Sequence, residues 1–248
     1  MSGTFFCVGV GPGDPELLTF KAARKIMEGD ILILPISDKS LTAPIYEEAE
    51  KKETEAFRRQ CVAYQIVQGQ IEGVREKAKL YLPMPMIKDK ELLKQIHDAG
   101  AEAIASLLDR GKMAVFITLG DPSLYSTCLY VQKRLKIKGY HTELIPGVPS
   151  FCAAAARLGM GLAENKEQLH VIPASYGVEE ALLLPGTKVL IKAGKKMPEV
   201  KRAVKSKNLE IEMVENCGMP QERIYKSVEE IPENAGYYSL LIVKEEKR

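Results

Sequence analysis

Short apolar runs alternate with longer amphipathic stretches along the first 150 residues of the chain. Residues 5–10, 31–34 and 113–119 are nearly continuous apolar runs, which are typical of parallel strands covered on both faces. Residues 17–28 and 91–110 carry apolar side chains at helical spacing, and a glycine follows each stretch where the helix is expected to end. This alternation predicts an α/β fold whose N-terminal sheet is mostly parallel.

The remaining segments extend this pattern with less regularity. Residues 43–79 are highly charged and predict helices interrupted by Gly69 and Gly73, whereas residues 80–86, with Pro83 and Pro85, predict an edge segment or a loop. Helices are predicted at 126–136 and 151–158, and strands at 142–145, 170–173, 188–192, 210–215 and 238–243. We therefore expect two domains, an N-terminal α/β domain at residues 1–146 and a C-terminal α/β domain at residues 147–248.

The amino-acid composition and the net charge disfavour several classes of protein. The net charge is +2, so no global field attracts nucleic acid or a membrane surface, and the longest apolar runs are shorter than the roughly 20 residues of a membrane span. The first ten residues lack a basic side chain, so no secretory signal is expected. Five scattered cysteines without a C-x-x-C spacing suggest reduced thiols rather than a metal site. A soluble, cytoplasmic protein is predicted.

Three loops contain glycine and follow apparent parallel strands, at residues 9–14, 120–127 and 146–150. Because ligands bind beyond the carboxyl ends of such strands, the three loops predict a cleft along one edge of the sheet. The first loop is not a dinucleotide fingerprint, since G-x-G-x-x-G requires glycine where Asp14 stands, and this disfavours NAD and FAD. Its glycines fit either a tight turn or close approach to a ligand, and Asp121 fits either an Asx turn or a binding residue.

Candidates for acid, base or nucleophilic catalysis are scarce. His97, His141 and His170 have neither metal-ligand spacing nor a nearby nucleophile motif, so we expect structural roles for them. A basic stretch could be a solvated face or could recognise an acidic small molecule. It comprises Lys188, Lys192, Lys195, Lys196 and Lys201.

Three motifs make the chain resemble the tetrapyrrole methylases, a family that uses S-adenosylmethionine. They read VGVGPGDPELLT at residues 8–19, TLGDPSLYST at residues 118–127 and LIPGVPSFCAAA at residues 144–155. The first motif is shared across the family. The other two are more discriminating, and they are most similar to those of members that methylate carbon 20 of precorrin-2 or cobalt-factor II in cobalamin synthesis.

The resemblance implies a two-domain homodimer with a mixed sheet in the C-terminal domain, with the cofactor in a trough between the domains, and with a tetrapyrrole as substrate. Residues expected at the methionine part of the cofactor are Pro12, Gly120, Asp121, Leu124, Ser150 and Phe151. Residues expected near adenine, largely through backbone groups, are Lys192, Val214, Tyr238 and Ser239. Asp121 would orient the ammonium group and would not act as a base. Arg157, Lys192 and Lys195 are candidates for binding substrate carboxylates.

The sequence leaves several alternative functions open. A related methylase could act on another macrocycle position, on ribosomal RNA or on the diphthamide precursor, although near-neutral charge disfavours RNA. A nucleotide-binding regulatory module without catalysis is also compatible with the absence of catalytic residues. The charged stretch 47–79 is longer than the family pattern predicts, and its alternatives are an insertion over the substrate trough and a dimer contact.

Overall fold

The computed structural model describes residues 2–174 and 177–245. The chain divides into two compact units, Met1–Pro149 and Ser150–Arg248. The sequence placed the domain boundary between residues 146 and 147. None of the helices in the described ranges combines the length and apolar character needed to cross a membrane.

The N-terminal unit is built on a six-stranded sheet with the order β3-β4-β2-β5-β1-β6. Its strands are β1 Thr4–Gly9, β2 Ile31–Ile36, β3 Ile45–Glu47, β4 Ala78–Pro83, β5 Ala114–Thr118 and β6 His141–Ile145. Its helices are α1 Phe20–Glu28, α2 Glu55–Gln60, α3 Val62–Val67, α4 Lys90–Leu108 and α5 Cys128–Ile137. Only the pair β3–β4 is antiparallel among these strand pairs, which confirms the mostly parallel sheet.

Both faces of this sheet are covered, as the continuous apolar runs predict. Phe6 and Val8 of β1 contribute to one core cluster together with residues of α1 and α3. Phe5 and Cys7 of the same strand contribute to a second cluster together with residues of α4 and α5. Successive residues of a strand point to opposite faces, so one short run fills two cores.

Two predictions in the middle of the unit are wrong. Residues 80–86 do not form an edge segment, because β4 lies between β3 and β2 and pairs with both. Proline is tolerated there since Pro83 is the last residue of the strand. The stretch 43–79 is not wholly helical either, because it contributes the edge strand β3 before α2 and α3.

The C-terminal unit has a five-stranded sheet with the order β10-β9-β11-β8-β7. The strands are β7 Leu169–Pro173, β8 Thr187–Ile191, β9 Leu209–Glu215, β10 Arg223–Tyr225 and β11 Ser239–Glu245. Helix α6 Ser150–Leu158 packs on β9 and β11, whereas α7 Val178–Ala181 and α8 Met197–Ser206 share a core cluster with the sheet. The pair β7–β8 is parallel and the other pairs are antiparallel, which confirms the mixed sheet.

The five cysteines are free thiols, and all except Cys152 are buried.

Candidate functional site

The three glycine-bearing loops lie along one edge of the N-terminal sheet. They follow β1, β5 and β6, which are neighbours in the order β5-β1-β6 and run parallel. Because parallel strands end at the same edge, residues 10–14, 119–127 and 146–149 meet there. The geometry agrees with the shared edge predicted from the sequence.

Backbone hydrogen bonds join the first two loops beyond the ends of their strands. The Gly11 N–H donates to the Gly120 carbonyl at 3.3 Å, and the Gly120 N–H donates back to the Gly11 carbonyl at 2.7 Å. Gly11 and Gly120 have φ values of 81° and 69°, a region in which side chains are rarely accommodated. Glycine at both positions therefore allows the two loops to form an antiparallel bridge.

The third loop packs against the other two through glycine as well. A Cβ atom on Gly147 would lie 2.2 Å from the Gly120 carbonyl oxygen and 2.7 Å from the Gly9 carbonyl carbon. A Cβ atom on Gly9 would lie 2.5 Å from that same Gly120 oxygen. These distances exclude any larger residue without backbone movement, so the glycines serve close contact between backbones.

Asp121 connects the second loop to the third. Its Oδ1 accepts a hydrogen bond from the Ser123 N–H at 2.8 Å, which is an Asx turn, and its Oδ2 accepts one from the Gly147 N–H at 3.0 Å. The side chain is half-buried. Oδ1 also accepts from the Ser123 hydroxyl, so both oxygens of the carboxylate are held in place by the protein and Oδ2 retains a lone pair for another donor.

The other expected residues for the methionine part differ in exposure. Pro12 and Gly120 are buried, and Leu124 is 38% exposed in the loop after β5. Ser150 and Phe151 are half-buried and begin α6, one residue earlier than the sequence predicts. Pro12, Gly120, Asp121 and Leu124 lie in the loops that follow β1 and β5.

Residues near this edge that sequence reasoning missed are Thr19, Thr118 and Ser126. The Thr118 and Ser126 hydroxyl oxygens lie 2.9 Å apart and close the base of the loop at 119–127. Thr19 caps α1 by accepting from the Ala22 N–H, and its hydroxyl donates to the Pro146 carbonyl at 3.4 Å. Hydroxyl residues on both sides of the glycines were the available signal, although their partners are distant in sequence.

The residues expected near adenine meet at one edge of the C-terminal sheet. Strand β11 lies between β8 and β9, with Leu240 opposite both Ile191 and Val214. Lys192 directly follows Ile191, and Ser239 directly precedes Leu240. The structure therefore brings Lys192, Val214 and Ser239 together, with Val214 and Ser239 buried and Lys192 exposed.

The loops at this edge are fixed by contacts to their backbones. The Asn216 N–H donates to the Tyr238 carbonyl at 3.1 Å, and the Ser239 hydroxyl donates to the Gly236 carbonyl at 2.7 Å. The rings of Tyr237 and Tyr238 form an edge-to-face pair with centroids 5.2 Å apart, and Tyr238 is 40% exposed. This edge offers exposed aromatic surface held by a fixed backbone.

The Lys and Arg side chains that could recognise an acidic molecule lie in different environments. Lys188 is 1% exposed and donates to the Gly186 carbonyl at 2.7 Å, so it does not belong to a solvated basic face. Lys192 and Lys195 are exposed. Arg157 donates to a carboxylate oxygen of Glu222, with Nε at 2.8 Å. The Arg157 charge is therefore balanced within the C-terminal unit.

The histidines lie away from the loops of both edges. His97 is buried on α4, where its ring stacks on Tyr130 of α5 at a centroid distance of 4.8 Å. Burial lowers the pKa of His97, and the nearby Arg134 charge lowers it further. Among the described residues, no group of three or more His, Cys, Asp or Glu side chains could hold a metal ion.

Comparisons with known proteins fit this geometry. The model of the tetrapyrrole (corrin/porphyrin) methylase family matches residues 4–232. A probable cobalt-precorrin-2 C(20)-methyltransferase of Methanocaldococcus jannaschii is 32% identical over 245 residues, which cover 97% of this chain and 96% of that protein. A precorrin-2 C(20)-methyltransferase of Sinorhizobium sp is 25% identical over 252 residues, covering 97% and 95% of the two chains.

Solved structures share the fold. A uroporphyrin-III C-methyl transferase from Thermus thermophilus, complexed with S-adenyl homocysteine, superposes with a TM-score of 0.66 at 20% identity. The superposition covers 98% of each chain. The chain belongs to the tetrapyrrole (corrin/porphyrin) methylase family.

Proposed function

We propose that this protein is an S-adenosylmethionine-dependent methyltransferase that methylates carbon 20 of precorrin-2 or cobalt-factor II in cobalamin biosynthesis. The observation that carries the proposal is similarity along nearly the whole chain to two relatives named for this reaction. The relatives differ in whether the name includes cobalt, so both the metal-free macrocycle and its cobalt complex are candidate substrates.

The described residues fit the cofactor in charge. Gly9, Gly11, Gly120 and Gly147 hold the three loops in close backbone contact, and this contact fixes the position of Asp121. The Asp121 carboxylate, fixed by the Ser123 and Gly147 N–H groups, suits an ammonium group. S-adenosylmethionine carries such a group on its amino acid end.

We assign the binding residues by part of the cofactor. Asp121 binds the ammonium group, while Pro12, Gly120, Leu124, Ser150 and Phe151 surround the methionine part. The residues that hold adenine are Lys192, Val214, Tyr238 and Ser239, chiefly through backbone groups. The fixed backbone at the starts and ends of β8, β9 and β11 supports this second assignment.

Positioning is the main task of the protein in this reaction. When bound, S-adenosylmethionine supplies a methyl group on a sulfonium that an electron-rich macrocycle carbon can displace in line. The protein has to hold the two reacting carbons about 3–3.5 Å apart and exclude water. The methyl group replaces the hydrogen of carbon 20, so one proton leaves the macrocycle and passes to a pyrrole nitrogen or to solvent. The reaction therefore requires no catalytic constellation in the protein, and the sequence offers none.

The test is an anaerobic assay with methyl-labelled S-adenosylmethionine and each of the two macrocycles. We expect label in the macrocycle and a product mass that corresponds to one hydrogen replaced by a methyl group, with carbon 20 identified by NMR. The masses from the two substrates decide whether cobalt must be present. Transfer to another position would identify a related methylase. Cofactor binding without transfer to either macrocycle would instead favour a non-catalytic module.

We also propose a homodimer that works in the cytoplasm, where free thiols stay reduced. The family resemblance supports the dimer. Light scattering after gel filtration should give twice the chain mass of 27.5 kDa. A mass equal to one chain at micromolar concentration would contradict it.

A further inference from the structure

Two buried cysteines from distant parts of the chain meet beneath the loop at residues 120–127. Cys7 lies in the middle of β1, and Cys128 is the first residue of α5. Both side chains are fully buried in the same core cluster, and the Cys7 thiol donates a hydrogen bond to the Cys128 sulfur. The proposed methyl transfer uses neither thiol, so the pair is available for a different chemistry.

The two thiols differ in acidity. The Cys128 sulfur accepts hydrogen bonds from the Cys7 thiol and from the Ser126 hydroxyl, the latter at 3.2 Å. The hydrogen bond from Cys7 lowers the pKa of Cys128 below its usual value, although burial opposes this effect. The N-terminal end of α5 also favours a negative charge at this position. Burial raises the pKa of Cys7. Cys128 therefore provides the more reactive thiolate, and Cys7 keeps its proton.

The loop at residues 120–127 covers Cys128. The Cys128 sulfur lies 3.9 Å from the Pro122 carbonyl oxygen, and the Cys128 N–H donates to the Ser126 hydroxyl oxygen at 3.3 Å. Between these two contacts, residues 123–125 are exposed. Buried thiols are normally inert, so a reagent reaches Cys128 only when this loop opens. Opening of a surface loop costs less free energy than opening of the core, and it therefore controls access to the pair.

A reactive thiolate in contact with a protonated thiol has the composition of a reversible redox pair. We propose that Cys7 and Cys128 are an oxidation site, which a small hydroperoxide converts to a disulfide when the loop at residues 120–127 opens. The reduced pair is the resting state, in agreement with the free thiols of the structure. This inference concerns thiol chemistry alone, and it does not depend on the proposed methyl transfer.

The reaction consumes one hydroperoxide for each disulfide. The Cys128 thiolate attacks one oxygen of hydrogen peroxide, the O–O bond breaks, and the released hydroxide takes up a proton to become water, while Cys128 becomes a sulfenic acid. The Cys7 sulfur then attacks the Cys128 sulfur, the S–O bond breaks, and the Cys7 proton leaves with the hydroxide as a second water. The two thiols lose two electrons, and hydrogen peroxide gains them. A dithiol reductant reverses the oxidation by exchange.

A disulfide would change the loop above it. The bond holds two sulfurs about 2.05 Å apart, which is much closer than in a hydrogen-bonded pair of thiols. Strand β1 is paired on both sides, with β5 and with β6, so Cys7 is fixed and Cys128 has to move toward it. This movement takes the Cys128 sulfur away from Ser126, whose hydroxyl oxygen lies 2.9 Å from that of Thr118 at the base of the loop. We expect oxidation to loosen the loop that carries Asp121.

The experiment follows the cysteines after exposure of the folded full chain to hydrogen peroxide. Remaining thiols are blocked with iodoacetamide in urea, and peptides are identified by mass spectrometry with and without dithiothreitol. We expect a peptide pair joined through Cys7 and Cys128, lighter by two hydrogens than the separate peptides, and its loss after reduction. Amide hydrogen exchange of residues 119–127 should be faster in the oxidised protein. Unchanged exchange would reject the coupling to the loop.

Two variants separate the roles of the thiols. In Cys7→Ala, Cys128 has no partner and should stop at the sulfenic acid, which dimedone traps. In Cys128→Ala, Cys7 should stay reduced, because it keeps its proton. Cys61→Ala is the matched control, since Cys61 is buried in the same unit and its removal should leave the cross-link unchanged.

The exposed Cys152 reports that the oxidant is active. Oxidised Cys152 together with unmodified Cys7 and Cys128 overturns the inference, as does a disulfide from Cys128 to any other cysteine. Equal oxidation of Cys7 in Cys128→Ala would also contradict it, since Cys128 would then not be the attacking thiol. The decisive cross-link is measured in wild type, so the test does not depend on the folding of a variant.

Discussion

Asp121 has a structural task in addition to the one we propose for it. Its two oxygens accept from the Ser123 and Gly147 N–H groups, so the carboxylate holds two loops together. The sequence offered an Asx turn and a binding residue as alternatives for Asp121. The structure contains the Asx turn, and the geometry leaves room for the second role.

Replacing Asp121 should weaken cofactor binding. Asp121→Asn removes the charge and exchanges one acceptor oxygen for a donor NH2 group, so an ammonium contact would be lost together with one loop contact. Loss of a charge-assisted hydrogen bond costs about 1.5–3 kcal/mol, which is roughly 10- to 150-fold in affinity. Calorimetry with S-adenosylhomocysteine checks this. An affinity within about twofold of wild type would reject Asp121 as the ammonium ligand.

Gly147 should tolerate no side chain. In Gly147→Ala the new Cβ meets backbone atoms of Gly120 and Gly9 at 2.2 Å and 2.7 Å. Gly120 cannot move without disturbing its bridge to Gly11, and Gly9 cannot move without disturbing the pairing of β1 with β5. We expect overpacking to lower the free energy of unfolding by about 1–3 kcal/mol or more. Urea titration measures it.

Gly69→Ala is the matched control for this prediction. No atom lies within 4 Å of a Cβ built at Gly69, so the change should stay within about 0.5 kcal/mol. Equal stability of the two variants would show that the backbone contacts between Gly147 and the other two loops leave room for a Cβ atom.

At the scale of elements, helices and strands with a strong hydrophobic period were predictable. Elements whose position depends on pairing with distant segments were not. Helix α4 was expected at residues 91–110 and spans Lys90–Leu108, because its apolar face and the glycine that follows are local signals. Strand β4 was mistaken for an edge segment, since its inner position depends on pairing with β2 and with β3. The three-residue strands β3 and β10 are too short to carry a period.

The charged stretch 47–79 conceals a buried polar network that sequence reasoning missed. Arg58 donates to Glu47 at 3.0 Å, to Thr54 at 2.7 Å and to the Tyr81 hydroxyl at 2.9 Å. The network joins β3, α2 and β4 inside the N-terminal unit. A charged residue such as Arg58 is normally assigned to the surface from the sequence alone. Its partners Glu47 and Tyr81 lie 11 and 23 positions away, so no local pattern indicates that it is buried.

Breaking this network should destabilise the N-terminal unit. Arg58→Met leaves the Glu47 carboxylate, whose side chain is 1% exposed, without its cation. Removing one partner of a buried ion pair costs about 3–5 kcal/mol, which thermal and urea unfolding would detect. Arg59→Met on the same helix is the control, since Arg59 is 76% exposed and pairs only at the surface with Glu55. A similar loss in both variants would contradict the role of the network.

At the scale of the whole molecule, the sequence predicted two α/β parts with sheets of different character. The alternation of strands and helices predicted the mostly parallel N-terminal sheet, whereas the mixed C-terminal sheet was expected from the family resemblance. The prediction of parallel strands also indicated which loops meet, because the carboxyl ends of parallel strands lie at the same edge of a sheet. The order of the strands within each sheet did not follow from the sequence, since it depends on pairing between segments that are distant in sequence.

Acid should destabilise the protein through carboxylates that are charged in the fold. The Lys21 ammonium lowers the pKa of Glu143. Burial opposes ionisation of Glu222, but the Arg157 guanidinium and the Gly218 N–H outweigh it and lower its pKa from the usual 4.5. The unfolded chain then binds more protons than the folded one, so stability is full above about pH 4.5 and falls as the pH passes through the lowered values.

Thermal unfolding between pH 7 and pH 3 measures this effect, with Glu222→Gln as the reference. The midpoint of wild type should exceed that of Glu222→Gln most at neutral pH, and the difference should shrink as the acid protonates Glu222. A difference that is constant across this range would contradict the assignment.

The bridge between Gly11 and Gly120 also constrains how the length of these loops can vary. Surface loops usually tolerate insertions, because their ends are free to adjust. Here two hydrogen bonds fix the register of one loop against the other, and Asp121 ties the second loop to the third. One extra residue in any of the three would displace the other two, so variation in loop length is expected elsewhere, as at Gly69, where the surroundings are open.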